Sequence, residues 1–295
     1  MISFVSGPSA SGLAKLALLT ALTFLPSTFA AVVPRQDSFR VMIVGDSITQ
    51  GREGDYTWRY RIWQWFEENY IPVTFVGPYS GTVPPADPAP PGPPPLFGET
   101  TASAPLGTNG LYAPDVDSAF LSNDLHFGMW GRQLAQDKDL IADMISQYTP
   151  EYLLVELGFN DMGWFVSDAQ GTMVSMEEFI DNARSVKGDI KFAIANVPQR
   201  TYIGGRDDLI TKTDTYNELL AAAIPSWTTA ESPIYLVDFR DNYSCEPQGG
   251  CPAGTDGLHP NILGEYQIAK AFVDVLHYGY GLGSGPLSIP GSLPT

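Results

Sequence analysis

The chain has 295 residues, 44% of them hydrophobic and 12% aromatic, which is enough to bury one large core or two small ones. Aspartate and glutamate outnumber lysine and arginine by 33 to 16, so the surface field is negative and repels phosphate backbones and anionic lipid headgroups. Nucleic acid is therefore not expected as a partner, and the excess of acids is read as a solubility device.

In chain order, the first feature is the apolar run "LALLTALTFL" at 16–25, preceded by Lys15 and followed by Pro26 and "STFAA". Ten residues are too few to cross a bilayer core of about 30 Å as a helix. With Thr28 and Ala30 meeting the small-x-small cleavage rule, residues 1–30 read as a signal peptide and 31–38 as a short linker or propeptide with a further processing point after Arg35. No other stretch is long and apolar enough to span a membrane, so a secreted, extracellular protein is expected, without integral membrane association.

Five short apolar runs follow: "RVMIVG" at 40–45, "VTFVG" at 73–77, "YLLVELG" at 152–158, "IKFAIANV" at 190–197 and "IYLVDF" at 234–239. They lack polar alternation, the mark of strands covered on both faces. Segments with helical spacing lie between them, at roughly 57–69, 132–148, 175–187, 211–224 and 261–276. Alternating strands and helices predict an α/β fold: a five-stranded parallel sheet between two helix layers, with ligands at the carboxyl ends of the strands.

The domain is expected over 39–277, interrupted at about 78–114 by an insertion whose core, "VPPADPAPPGPPPLFG", is too rich in proline for a ladder or helix. A passive loop or part of a cleft wall is preferred there to a ligand for a proline-binding module. The only two cysteines, Cys245 and Cys251, bracket "EPQGG" and read as a small disulfide. Asn242, in "NYS", is a possible glycosylation site. The segment 278–295 has turn formers and no periodicity, and is expected to be a flexible tail.

Three groups of reactive residues fall after predicted strands or before the last helix. Ser47 lies in "VGDSITQG", Asn160 and Asp161 in "GFND", and Asp256 and His259 in "DGLHPN". In a parallel sheet these loops emerge at one edge, so residues two hundred positions apart can meet. A serine hydroxyl needs an imidazole to take its proton, and a carboxylate to hold that imidazole in the useful tautomer. A tetrahedral intermediate needs donors aimed at its oxygen, and the Asn160 amide and the Ser47 N–H at a helix start are suited to this. This chemistry requires no metal and no cofactor.

"GDSITQG", "GFND" and "DGLHPN" resemble blocks one, three and five of the SGNH, or GDSL, hydrolase superfamily, in the same order and over roughly residues 39–277. The resemblance implies a flavodoxin-like three-layer α/β/α sandwich. It also implies Ser47 as nucleophile, Asp256 as orienting acid, His259 as base, and an oxyanion hole from Ser47, Asn160 and a block-two glycine. "HFGMWGR" at 126–132 supplies that glycine, with Gly131 assigned and Gly128 as its substitute. Among relatives the chain looks most like secreted carbohydrate esterases of family three, which include acetylxylan esterases. It departs from them where Trp130 and Arg132 flank Gly131, and in the proline insertion.

The expected activity is that of a serine esterase acting through an acyl-enzyme on an acylated plant or microbial polysaccharide or another small ester, as a monomer. Two rivals are a lipid or lysophospholipid ester hydrolase and a secreted glycan-binding protein without chemistry. Asp46 is read as structural, Asp161 as positioning its loop, His126 as bracing its loop and His277 as solvent-facing. Asp115 and Asp117 have a calcium-like register, but the glycine required sixth and the glutamate required twelfth are missing. Trp130, Trp164 and Phe165 are placed to stack on sugar rings or pack an acyl chain, or simply to pack.

Overall fold

Buried parallel strands need helices on both faces, and the computed structural model, which describes residues 38–85 and 108–293, has that arrangement. Six parallel strands, β1 (Phe39–Gly45), β2 (Val73–Phe75), β3 (Phe127–Gly128), β4 (Tyr152–Glu156), β5 (Lys191–Ala195) and β6 (Ile234–Val237), form one sheet of order β2-β1-β4-β5-β6. β3 pairs with β1 outside that path, setting Gly128 opposite Gly45. All five predicted strands are present. The sixth, β3, escaped the sequence because two residues are too few to carry a period.

The helices are α1 (Ser47–Gln50), α2 (Thr57–Glu68), α3 (Ser118–Leu121), α4 (Leu134–Tyr148), α5 (Phe159–Gly163), α6 (Ala169–Val186), α7 (Asp207–Trp227), α8 (Phe239–Asn242) and α9 (Ile262–Asp274). A π-helical turn, Val275–Gly279, ends α9. The path from β1 to β2 runs one way across the sheet and the path β4-β5-β6 the other. Right-handed crossovers therefore send α2 to one face and α6 and α7 to the opposite one. α9 packs on α2, and α4 on α6, completing the two outer layers.

Two helices begin earlier than predicted. Asp168 caps α6 by accepting the Gly171 N–H at 2.8 Å, seven residues before the apolar stripe becomes readable. α7 starts at Asp207 and runs past Pro225, whose missing N–H removes one bond in its last turn.

The described part of the expected tail, residues 278–293, makes specific contacts with the domain. Gly285 accepts a hydrogen bond from Trp65 Nε1 at 2.8 Å and Ser284 N donates to Asn69 at 2.7 Å, while the Tyr280 hydroxyl donates to Phe192 and Pro233 carbonyls. Leu287 is buried. Irregular chain is anchored here by single side chains, which leave no periodic signal. His277, expected to face solvent, is half-buried and bonds the Leu282 carbonyl through Nδ1 at 2.8 Å.

The signal-peptide and linker readings, and residues 86–107 of the proline insertion, fall outside the described residues. The insertion's flanks are tied to the domain through bridges pairing Arg52 with Val83, Tyr79 with His126 and Thr82 with Gly110. Among the described residues no helix is long and apolar enough to cross a membrane.

Candidate active site

The strand order reverses beside β1, and ligands of open parallel sheets sit at such a switch point. The loops leaving β1 and β4 are neighbours there, because Gly45 pairs with Glu156. A side chain at position 45 would meet Thr49 Oγ1 at 2.1 Å and the Glu156 carbonyl at 2.9 Å. Glycine thus lets the chain turn straight from strand to helix. Asp46 caps α1 by accepting the Ile48 N–H at 2.9 Å, and Ser47, 6% exposed, opens the helix.

The loop before α9 supplies the partners. His259 Nε2 lies 2.9 Å from Ser47 Oγ, and His259 Nδ1 lies 2.8 Å from Asp256 Oδ2. The other Asp256 oxygen accepts the Leu258 and His259 main-chain N–H groups at 3.2 and 2.9 Å. This tight turn needs Gly257, whose φ is +83° and where a Cβ would lie 2.0 Å from Thr201 Oγ1. Burial works to raise the Asp256 carboxyl, but the His259 ring and the Arg52 guanidinium outweigh it and hold the acid far below the usual range. The carboxylate is ionised, so Nδ1 carries the proton it accepts and Nε2 is left with its lone pair toward Ser47.

Gly131 has a left-handed φ of 77° in the loop between β3 and α4. Its N–H, like that of Ser47, donates to no described backbone carbonyl outside helices and strands. Gly128, the substitute, sits in β3 with its N–H donated to His126 Nδ1 at 3.0 Å. His126 Nε2 meets the Gly81 carbonyl at 3.1 Å, and burial pushes this ring well below the ordinary histidine value. A neutral His126 thus braces its loop. Asn160, at the start of α5, donates through Nδ2 to the Arg132 carbonyl at 2.9 Å and to Asp46 Oδ2 at 3.1 Å. Asp161 accepts the Leu134 and Ala135 N–H groups at 2.8 and 2.9 Å, tying α5 to the start of α4.

Ser47, His259 and Asp256 are therefore joined by hydrogen bonds, and Asn160 is held beside them by Asp46, the neighbour of Ser47, and by the carbonyl of Arg132, the neighbour of Gly131. Asn242 lies apart, at the end of α8, with Nδ2 donated to the Asp238 carbonyl at 2.7 Å. Cys245 and Cys251 are joined by a disulfide just upstream of the Asp256 turn. Asp115 accepts the Tyr56 hydroxyl at 2.5 Å, and Asp117 caps α3. Trp130 stacks on the His259 ring with centroids 4.5 Å apart and planes at 17°. Trp164 and Phe165 are exposed beyond α5, with Arg206 4.1 Å from the Phe165 ring centre.

Two participants were missed by sequence reasoning. Arg52, one residue past the first motif, reaches Asp256. Glu156, buried at the end of β4, accepts the Thr49 hydroxyl at 2.9 Å and bonds the Asp46 carboxyl. An acid inside the apolar run "YLLVELG" was the available signal for Glu156. Nothing comparable marked Arg52.

The family model described as GDSL-like Lipase/Acylhydrolase matches residues 41–272. No curated protein sequence matches the chain. Among solved structures, a family 3 carbohydrate esterase from Talaromyces cellulolyticus is similar at 20% identity and TM-score 0.57, covering 83% of this chain and 100% of that one. A family 3 carbohydrate esterase from Clostridium thermocellum is similar at 17% identity and TM-score 0.57, with 84% and 100% covered. An acetyl esterase variant solved with an acetate ion is similar at 20% identity and TM-score 0.57, with 78% and 92% covered. At these identities the likeness is one of fold.

Proposed function

Because the chain belongs to the GDSL-like lipase/acylhydrolase family and is an ester hydrolase, we propose that Ser47, His259 and Asp256 are its triad and that it removes acetyl or similarly short acyl groups from a glycan outside the cell. The observation that carries this reading is the relay Ser47 Oγ to His259 Nε2 at 2.9 Å and His259 Nδ1 to Asp256 Oδ2 at 2.8 Å, joining residues 212 positions apart.

His259 takes the hydroxyl proton as Ser47 Oγ attacks the ester carbonyl, and Asp256 balances the imidazolium. The N–H groups of Ser47 and Gly131 and the Asn160 amide hold the oxyanion. Collapse returns the proton through His259 to the departing alcohol. Water, deprotonated by the same ring, then releases the acid from the acyl-enzyme.

The Trp130 indole, stacked on the His259 ring, gives the proposed base an apolar wall against which a small acyl or sugar group can pack. The acetyl and carbohydrate esters named for similar structures point the same way. Export is supported by the apolar run at 16–25 and by the disulfide.

A serine-directed phosphonate is expected to label the protein once, on Ser47, by peptide mass spectrometry; a glycan-binding protein without chemistry takes up none. Acetate release from acetylated polysaccharides, set against release from octanoyl and longer esters, tests the substrate. Preference for long chains would replace the glycan reading with a lipid one.

Asn160 already gives both amide hydrogens to Arg132 and Asp46, so an oxyanion must share the longer of the two, toward Asp46. Asn160→Ala is expected to lower kcat by about 10²–10³-fold with little change in KM, since the donor acts chiefly on the charged intermediate. Steady-state kinetics with p-nitrophenyl acetate measures it.

A further inference from the structure

Gly51, with φ of 76°, reverses the chain after α1 and throws Arg52 across the mouth of the site. The main chain of Arg52 is fixed: its N–H donates to Asp55 Oδ2 at 2.7 Å and it bridges to Val83. Its side chain, 40% exposed, donates through Nη1 to Thr255 Oγ1 at 3.3 Å and through Nη2 to Asp256 Oδ2, the oxygen that also takes His259 Nδ1. Nη2 lies 3.2 Å from Nδ1 itself. The guanidinium carbon is 5.2 Å from the centre of the Trp130 ring, whose indole stacks on His259.

With Nε2 turned to Ser47, Nδ1 carries a hydrogen, so the Nη2 to Nδ1 approach joins two donors that compete for one carboxylate oxygen. It is no hydrogen bond. A fixed positive charge thus stands beside the ring on which positive charge develops. Asp256 favours that charge and Arg52 opposes it. The remaining charged groups facing the pair are Asp55, which interacts with His259, and Arg200, which interacts with Asp256. The negative field of 33 acids against 16 bases favours protonation throughout. Arg52 is the cation in direct contact with the pair, placed to counter that field where the base must stay free.

We propose that Arg52 is a positioning residue that keeps His259 available as a base in acidic surroundings, and so sets the acid limit of turnover. The inference rests on the triad proposed above. It assigns the acid limit to a residue outside the triad, through one guanidinium shared with the orienting carboxylate.

The test is the pH dependence of kcat/KM for p-nitrophenyl acetate in the wild type, Arg52→Gln and Arg52→Lys, with Arg52→Met as a second neutral variant should the glutamine protein not fold. Removing the charge is expected to raise the pH at which kcat/KM falls to half on the acid side by about one unit, close to a tenfold loss in the lower part of the range. The lysine variant, which keeps the charge, is expected to stay near the wild-type half-point. The position of the half-point decides, whatever the plateau height. An unmoved or lowered half-point in the neutral variants overturns the proposal, including the case in which activity falls equally at every pH, as loss of mere packing would produce. Failure of the triad itself would be seen separately, as turnover surviving Ser47→Ala.

Discussion

Ser47→Ala is expected to lower kcat for p-nitrophenyl acetate by about 10⁴–10⁶-fold, with the circular dichroism spectrum and melting temperature of the wild type. The effect is large because the proposed mechanism makes the hydroxyl the attacking group and gives its side-chain hydrogen bond, at 2.9 Å to His259, to catalysis and not to the fold. What shapes the turn stays in place: Gly45 still closes on Thr49, and Asp46 still caps α1. Adding His259→Ala to the serine variant is expected to cost little more, since the two act as one unit. Single-turnover kinetics of the purified variants checks both statements. Turnover within tenfold of the wild type in Ser47→Ala would remove the serine mechanism from this protein.

Folding stability is expected to fall by roughly 2–5 kcal/mol between pH 5 and pH 8, the reverse of the behaviour of a protein held by exposed ion pairs. Beneath the site lies a set of buried carboxyls: Asp46, Asp137, Asp161 and Glu156. Burial is the leading cause in each, raising Asp46 and Asp137 to about 7, Asp161 to about 6 and Glu156 well above its ordinary value. Glu265, buried under α2 beside Arg61, is raised to about 7 by the same cause.

In all five the folded-state value exceeds the unfolded one, so the folded protein binds more protons. Their contribution to stability is complete below the unfolded values near 4 and is lost as pH climbs through 6 to 7 and beyond. Asp256 has the opposite sign, being lowered, but its stability is lost only at acid pH well below this window. Urea denaturation at pH 5 and 8 measures the difference.

Glu156→Gln isolates one contributor. The amide can accept the Thr49 hydroxyl and donate to Asp46 as the neutral acid does, without a proton to lose. This variant is expected to lose less stability over the same interval and to exceed the wild type at pH 8 by about 1–2 kcal/mol. A wild type that gains stability from pH 5 to pH 8 would contradict the burial account of these acids.

The sheet was legible because strands covered on both faces must be apolar throughout, and "RVMIVG" or "YLLVELG" admits little else. The site was legible because parallel strands gather their ends, so that motifs far apart in sequence become one cluster. The proposed triad of Ser47, His259 and Asp256 drew on that rule, on the demands of acyl transfer and on the family resemblance. The resemblance already preferred Gly131 to Gly128, and the coordinates add that the His126 ring takes the Gly128 N–H.

What stayed hidden shares a physical character. β3 is two residues long; α6 begins on a cap and not on a stripe; the tail is held by Trp65, Asn69 and Tyr280 one bond at a time. Arg52 exerts its effect on Asp256, 204 positions away, through a turn created by a single glycine. Such contacts have neither period nor spacing.

The two halves of this machinery hang from different supports. Ser47 and Asn160 leave adjacent strands locked rung against rung at Gly45 and Glu156, whereas His259 and Asp256 ride a short strap between the Cys245–Cys251 crosslink and the first turn of α9. A local opening that frees the strap while the sheet holds would therefore leave the proposed oxyanion donors in place and the proposed base displaced. Loss of turnover ahead of global melting is the ordinary fate of a mechanism divided between a girder and a buckle.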